Sequence, residues 1–155
     1  MTTVELAWAA GLLDGEGCIT IAKQRRKDRS NRPSYHLRVG VRMIHYPPLQ
    51  RLQQLFGGRI GQYLKAQRGW RTAWDWVVYN NEAIALLRQV LPYLVTKRAE
   101  AEAAQSAEHW RHPHYPRGGL LPRMIAEREE LYQRLRTLKR YEFNEPRLKA
   151  LQSGD

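Results

Sequence analysis

The chain has 155 residues, 43% of them hydrophobic, which suffices for one domain with a modest core. Its 26 Lys and Arg against 15 Asp and Glu give a formal charge of +11, in agreement with a nucleic-acid partner. No apolar run approaches the roughly 18 residues of a membrane helix, and the lone Cys18 excludes an intramolecular disulfide and suits a reducing, intracellular compartment.

The start of the chain is short in apolar residues and carries acids, so no secretory leader is expected. Thr2 with Glu5 three residues on fits a capping box, and strong helix formers from Val4 predict a helix of roughly ten residues. Ala7, Ala10 and Gly11 leave almost no side chain on one stripe of it, so another helix can approach at near-backbone distance. Asp14 and Glu16 follow, each succeeded by a glycine. A carboxylate past a helix C-terminus meets the negative end of the dipole, so two there are costly unless a cation is expected. Magnesium is bound by one or two carboxylates plus phosphate oxygens. The plainer alternative makes both acids turn residues ahead of a hairpin.

After Gly17, Ile19 and Ile21 alternate with Thr20, Ala22, Gln24 and Arg26, which predicts a half-buried strand. Residues 22–42 hold eight basic residues and one acid, Asp28, a cluster suited to neutralising phosphates. A charged, turn-rich loop over 25–34 leads to a second strand over 35–43, with Leu37, Val39, Val41 and Met43 inward and His36, Arg38, Gly40 and Arg42 outward. Pro47-Pro48 opens a helix that Gly57-Gly58 ends. A third strand over 59–67 turns its Tyr63 and Lys65 outward, and a turn at Arg68-Gly69 leads to a fourth over 72–79. Trp74, Trp76 and Val78 are assigned to the core, because paired tryptophans beside valine pack under helices more often than they stack bases. Helices follow over 81–94, broken by Pro92, and over 97–110.

The order αββαββα predicts an α+β fold, with one four-stranded antiparallel sheet backed by helices on one face and open on the other. The open face carries Thr20, Gln24, Arg26, Arg38, Arg42, Tyr63, Lys65 and Arg71, and a β-ribbon of this kind fits a DNA major groove. Asp75 on the same face has the chemistry to accept from cytosine. An eight-residue strand spans about 27 Å, or roughly eight base pairs.

Past Trp110 the signal thins. His109, His112 and His114 lie in a Pro-rich segment without cysteines, so a surface connector is a better account than a zinc site. Residues 122–141 predict an amphipathic helix through Met124, Ile125, Leu131, Leu135 and Leu138 with Arg128 on its charged face, and 146–155 are read as a frayed end. The chain divides into a core over 1–110 and a connector with a helical extension of the same domain over 111–155.

The element order, the stretch Ala9-Ala10-Gly11-Leu12-Leu13-Asp14-Gly15-Glu16-Gly17 and the segment Leu91-Pro92-Tyr93-Leu94-Val95-Thr96-Lys97-Arg98 together resemble the LAGLIDADG homing endonucleases of the single-motif type. Ala10, Gly11, Leu12, Asp14 and Gly17 match the nine-position motif, Leu13 and Gly15 are mild variants, Ala9 replaces the opening Leu, and Glu16 replaces the final Asp. The resemblance implies a homodimer whose motif helices pack at the two-fold axis through Ala7, Ala10, Gly11 and Asp14. It implies that Glu16, with the carbonyl of Gly15, holds magnesium, with manganese or another divalent cation as substitutes. Lys97 then polarises the active-site solvent, His45 touches the water network, and Asp14 is mainly structural. The activity implied is metal-dependent intron homing: a double-strand break with short 3′ overhangs in a partly palindromic DNA site. No membrane or small-molecule substrate is implied. The alternative is a DNA-binding or RNA-splicing protein of the same fold without nuclease activity. The target, the host compartment (cytoplasm or organelle) and an intron or intein origin are not encoded in these features.

Overall fold

The computed structural model describes residues 1–25, 33–64, 69, 71–110 and 121–139. The elements follow the expected order: α1 (Thr3–Glu16), β1 (Gly17–Arg25), β2 (Pro33–Met43), α2 (Tyr46–Phe56), β3 (Arg59–Leu64), β4 (Ala73–Tyr79), α3 (Asn80–Val90), α4 (Arg98–Gln105) and α5 (Pro122–Leu138). Short 3-10 turns at Leu91–Tyr93 and Ser106–Trp110 follow α3 and α4, so both helices stop earlier than their composition predicts. Pro92 accounts for the first shortening, since it has no N–H for a helical bond.

The capping box of α1 is present. Thr2 N donates to Glu5 at 2.8 Å and Glu5 N donates to the Thr2 hydroxyl at 3.3 Å. The helix does not stop at Gly11 but runs a further turn and more to Glu16, because Ala9, Ala10 and Leu13 are buried in the core and hold it there. Tertiary burial outweighs the roughly 1 kcal/mol helix penalty of each glycine.

The sheet is antiparallel throughout, in the order β1-β2-β4-β3. Its inner face is the alternating set Ile19, Ile21, Leu37, Val39, Val41, Trp76 and Val78, all almost wholly buried against residues of α1, α2 and α3. Trp76 lies in the core as expected and donates its indole N–H to the Gly57 carbonyl at 2.9 Å, while half-buried Trp74 meets Tyr46 edge-on. A bulge between Gln62 and Leu64 inserts Tyr63 into β3, so Gln62 pairs with Trp74 while Tyr63 reaches the open face. Where β4 ends, Asn80 at φ 45° accepts from the Leu37 N–H at 3.1 Å and extends the ladder by one bond.

Helix α5 packs on β1 and α4 through Met124, Arg128, Leu131 and Leu135, a 4-3-4 spacing that forms one stripe. Arg128 lies within that buried stripe, not on the charged face that the pattern of charges suggested. Burying Leu131 and Leu135 contributes about 1.5–3 kcal/mol each. A polar clasp adds to this: Glu129 accepts from Lys23 at 2.7 Å and from the Tyr35 hydroxyl at 2.5 Å. His112, His114 and the 146–155 end lie outside the described residues, as do Arg26 and Lys65.

Candidate active site

The register fixes where the motif sits. Gly17, Val41, Trp76 and Ile60 form one row across the four strands, and α1 hands over to β1 at that row. The strands β2 and β3 leave the sheet at this same end, carrying Arg42, His45 and Tyr63 towards the C-terminus of α1. The handover itself needs glycine at 17, because a Cβ there would lie 2.5 Å from the Leu13 carbonyl oxygen and 2.7 Å from its Cα.

Asp14 and Lys97 are joined. The Asp14 carboxylate accepts from the Val95 N–H at 2.7 Å and the Lys97 N–H at 2.9 Å, and Lys97 Nζ donates to the Asp14 carbonyl at 2.5 Å. Burial pushes the Asp14 carboxyl up, but the N–H groups of Val95, Lys97 and Thr96 and the Lys97 charge outweigh it and hold it below the usual carboxylate range. The Asp14 carbonyl is one of the last four of α1, which have no partner within the helix, so the lysine both satisfies it and complements the negative helix end. Lys97 thereby stands beside the last turn of the motif helix.

Glu16 ends α1 exposed, and among the described residues no hydrogen bond or ion pair engages it. Gly15 beside it is exposed, and a Cβ there would meet nothing within 4 Å. An unshielded carboxylate with an accessible backbone carbonyl next to it is a donor set for a hard divalent cation. No group of three or more His, Cys, Asp and Glu gathers among the described residues. His45 stands exposed at the start of α2 and makes no capping bond; it is on the same end of the sheet, with no hydrogen bond or ion pair to Glu16 or Lys97 among the described residues.

One face of α1 is left exposed among the described residues. Val4 is 77% and Trp8 38% exposed, and Ala7 and Gly11 complete the stripe, with open space at the Gly11 Cβ position. Ala10 is not part of this stripe: it is wholly buried in the core of its own chain. Val4 and Trp8 lie four residues apart, so the sequence already places them on the same face of the helix as Ala7 and Gly11.

The open face of the sheet carries the expected polar set, but its residues differ in what holds them. Arg38 is tied to Asp75 at 2.6 Å, and Arg42 stands 3.7 Å from the other oxygen of the same carboxylate. The Arg42 guanidinium also lies 3.3 Å from the centroid of the Tyr63 ring. Thr20 is half-buried opposite Arg38, while Gln24 and Arg71 are exposed. Lys23, part of the basic cluster, is instead committed to Glu129. Lys139, just after α5, donates to the Cys18 thiol at 3.2 Å and so brings a C-terminal cation to β1 next to the motif, a placement that only the fold reveals.

The family model for LAGLIDADG endonucleases matches residues 9–101. Among solved structures, the chain is similar to the homing endonuclease I-CvuI in complex with its target, at 21% identity and TM-score 0.71 over 90% of this chain and 85% of that one. It is also similar to the archaeal intron-encoded homing endonuclease I-Vdi141I complexed with DNA, at 14% identity and TM-score 0.61 over 90% and 87%. A third is the homing endonuclease I-TnaI, at 16% identity and TM-score 0.56 over 86% and 94%. No curated protein matches the chain. Among the described residues no helix is long and apolar enough to cross a membrane. With the motif at the end of α1 and the family match spanning the second half of that helix, the whole sheet and the start of α4, the chain belongs to the LAGLIDADG endonuclease family.

Proposed function

We propose that this protein is a homodimeric homing endonuclease that hydrolyses one phosphodiester in each strand of a long, partly palindromic DNA duplex with the help of magnesium or a similar divalent cation. The observation that carries the reading is the arrangement at the end of α1: an exposed Glu16, without a hydrogen bond or ion pair among the described residues, two residues beyond the carbonyl that anchors Lys97. Glu16 and the Gly15 carbonyl would hold the cation. When bound, such an ion lowers the pKa of the attacking water and stabilises the leaving oxygen.

The chain's own residues do the rest. Lys97 has one ammonium proton committed to Asp14 and two left to stabilise negative charge on the phosphate. Asp14 fixes the 95–97 segment, which sets where that ammonium stands. One carboxylate per chain asks for a second copy, and the Val4, Ala7, Trp8 and Gly11 stripe is the surface that brings two motif helices together. The half-buried, cation-bearing outer face of the sheet supports docking in the major groove. His45 is proposed to contact the water network at the site.

The test is selection of cleaved duplexes from a randomised library with magnesium, using the native protein and Glu16→Gln. Native protein is expected to yield a near-symmetric site of roughly 20 base pairs, with Glu16→Gln binding it and cutting at least about 100-fold more slowly. Unchanged cutting by Glu16→Gln removes the catalytic assignment, and binding without any cutting by the native protein favours the non-nuclease alternative.

A further inference from the structure

We infer that Arg42 reads a guanine in the inner part of each half-site, with Tyr63 and Asp75 as its positioning residues. The inference rests on the DNA reading above and names part of the sequence it selects. Two arginines share the Asp75 carboxylate unequally. Arg38 takes one oxygen at 2.6 Å and its side chain is only 18% exposed, so it is largely spent in the fold. Arg42 approaches the other oxygen through Nε at 3.7 Å and its side chain is 45% exposed. The Arg42 guanidinium carbon lies over the Tyr63 ring, 3.3 Å from its centroid.

An arginine on an open surface ordinarily loses much rotamer freedom when it binds. Here the ring and the carboxylate already restrict it, which is how an interface lowers the entropy cost of a specific contact. The carboxylate engages Nε, and among the described residues the ring is the other contact of Arg42, so the terminal amino groups remain for a ligand. Two parallel donors on a planar fork match the paired N7 and O6 acceptors of guanine in the major groove, and no other base edge offers two acceptors side by side there. Asp75, with an arginine beside each oxygen, orients these two donors.

Position follows from register. Arg42, Asp75 and Gly61 form the row next to the one at which α1 enters the sheet. A Cβ at Gly61 would meet nothing within 4 Å, so a base edge can come close to the row. The guanine therefore lies towards the motif helix, in the inner part of the half-site.

The experiment is a binding selection from randomised duplexes in calcium, followed by sequencing, with native protein, Arg42→Ala, Arg42→Lys, Tyr63→Ala and Tyr63→Phe. Native protein is expected to prefer guanine about 5- to 100-fold at one pair in each half-site. Arg42→Ala and Arg42→Lys should lose that preference and keep those at other positions, the lysine because it has the charge without the fork. Tyr63→Ala should weaken the same preference alone and Tyr63→Phe restore it, which a general loss of stability does not do. A defined site whose every preference survives Arg42→Ala overturns the inference and leaves the proposed function standing. Binding with no sequence preference in the native protein overturns both. A uniform loss of affinity in Arg42→Ala with base preferences intact makes Arg42 a phosphate contact and also overturns it.

Discussion

Asp14 and Lys97 hold each other in both directions: the carboxylate of Asp14 receives the backbone N–H of Lys97, and the side chain of Lys97 reaches back to the backbone carbonyl of Asp14. The two residues are far apart in sequence, and their contact locks the segment before α4 against the last turn of α1. The acid is thus a structural brace and the lysine a placed cation, each dependent on the other.

Asp14→Ala removes two charge-assisted bonds to backbone N–H groups and is expected to cost about 2–4 kcal/mol. Because the folded carboxyl is held below its ordinary value of 3.8, its contribution is fully present above that pH and disappears as the pH falls through the lower, folded value. Urea denaturation at pH 7 and near pH 2 checks this: the native protein should lose more stability between the two than Asp14→Asn, which keeps an acceptor but does not titrate.

Gly17→Ala forces a methyl against the Leu13 backbone, where neither partner is a flexible side-chain end, and is expected to destabilise the fold by about 2–4 kcal/mol. Gly11→Ala should do the opposite, gaining up to about 1 kcal/mol of helix propensity, since its Cβ has open space. Thermal melts of the two variants, read by far-ultraviolet circular dichroism, should move in opposite directions if the monomer fold alone is at issue.

Gly11→Leu tests the assembly. The side chain has room in one copy and none between two closely packed motif helices, so this variant should fold and sediment as a monomer, with DNA cleavage lost by at least about 100-fold. A dimer that persists with full activity places the two-fold contact elsewhere on the chain.

Glu129 is held down to about 2 by hydrogen bonds from Lys23 and then Tyr35, against the opposing effect of burial. Its ordinary value is 4.5, so the clasp is intact above that pH and weakens as the pH falls towards 2. With side chains 37% and 32% exposed, solvent screening keeps the Lys23–Glu129 ion pair weak. Glu129→Gln should therefore lower the melting temperature at pH 7 by a few degrees and differ little from native protein at pH 2.5.

The order of elements was legible because strands such as β1 alternate with period two, as in Ile19 and Ile21, helices such as α2 repeat their apolar residues at helical spacing, as in Leu49 and Leu52, and α1 opens on a capping box. The motif placed Glu16 at an exposed helix end, and the structure has it there. Boundaries were less legible: α1 crosses two glycines because Leu13 and Ala10 are buried, and β3 takes a bulge between Gln62 and Leu64, while Tyr63 reaches the open face that its alternation predicts.

What the sequence by itself determined is therefore the α+β order, the family and the residue types at the motif, since periodicity and local spacing carry that information. Which residues are free to act was decided only by tertiary structure. Lys23 is bound by Glu129 and Arg38 by Asp75, Ala10 is core and Trp8 is surface, and Lys97 stands at Asp14. All of these depend on partners distant in sequence or on the side of a helix that the core covers, and neither is written in a local pattern.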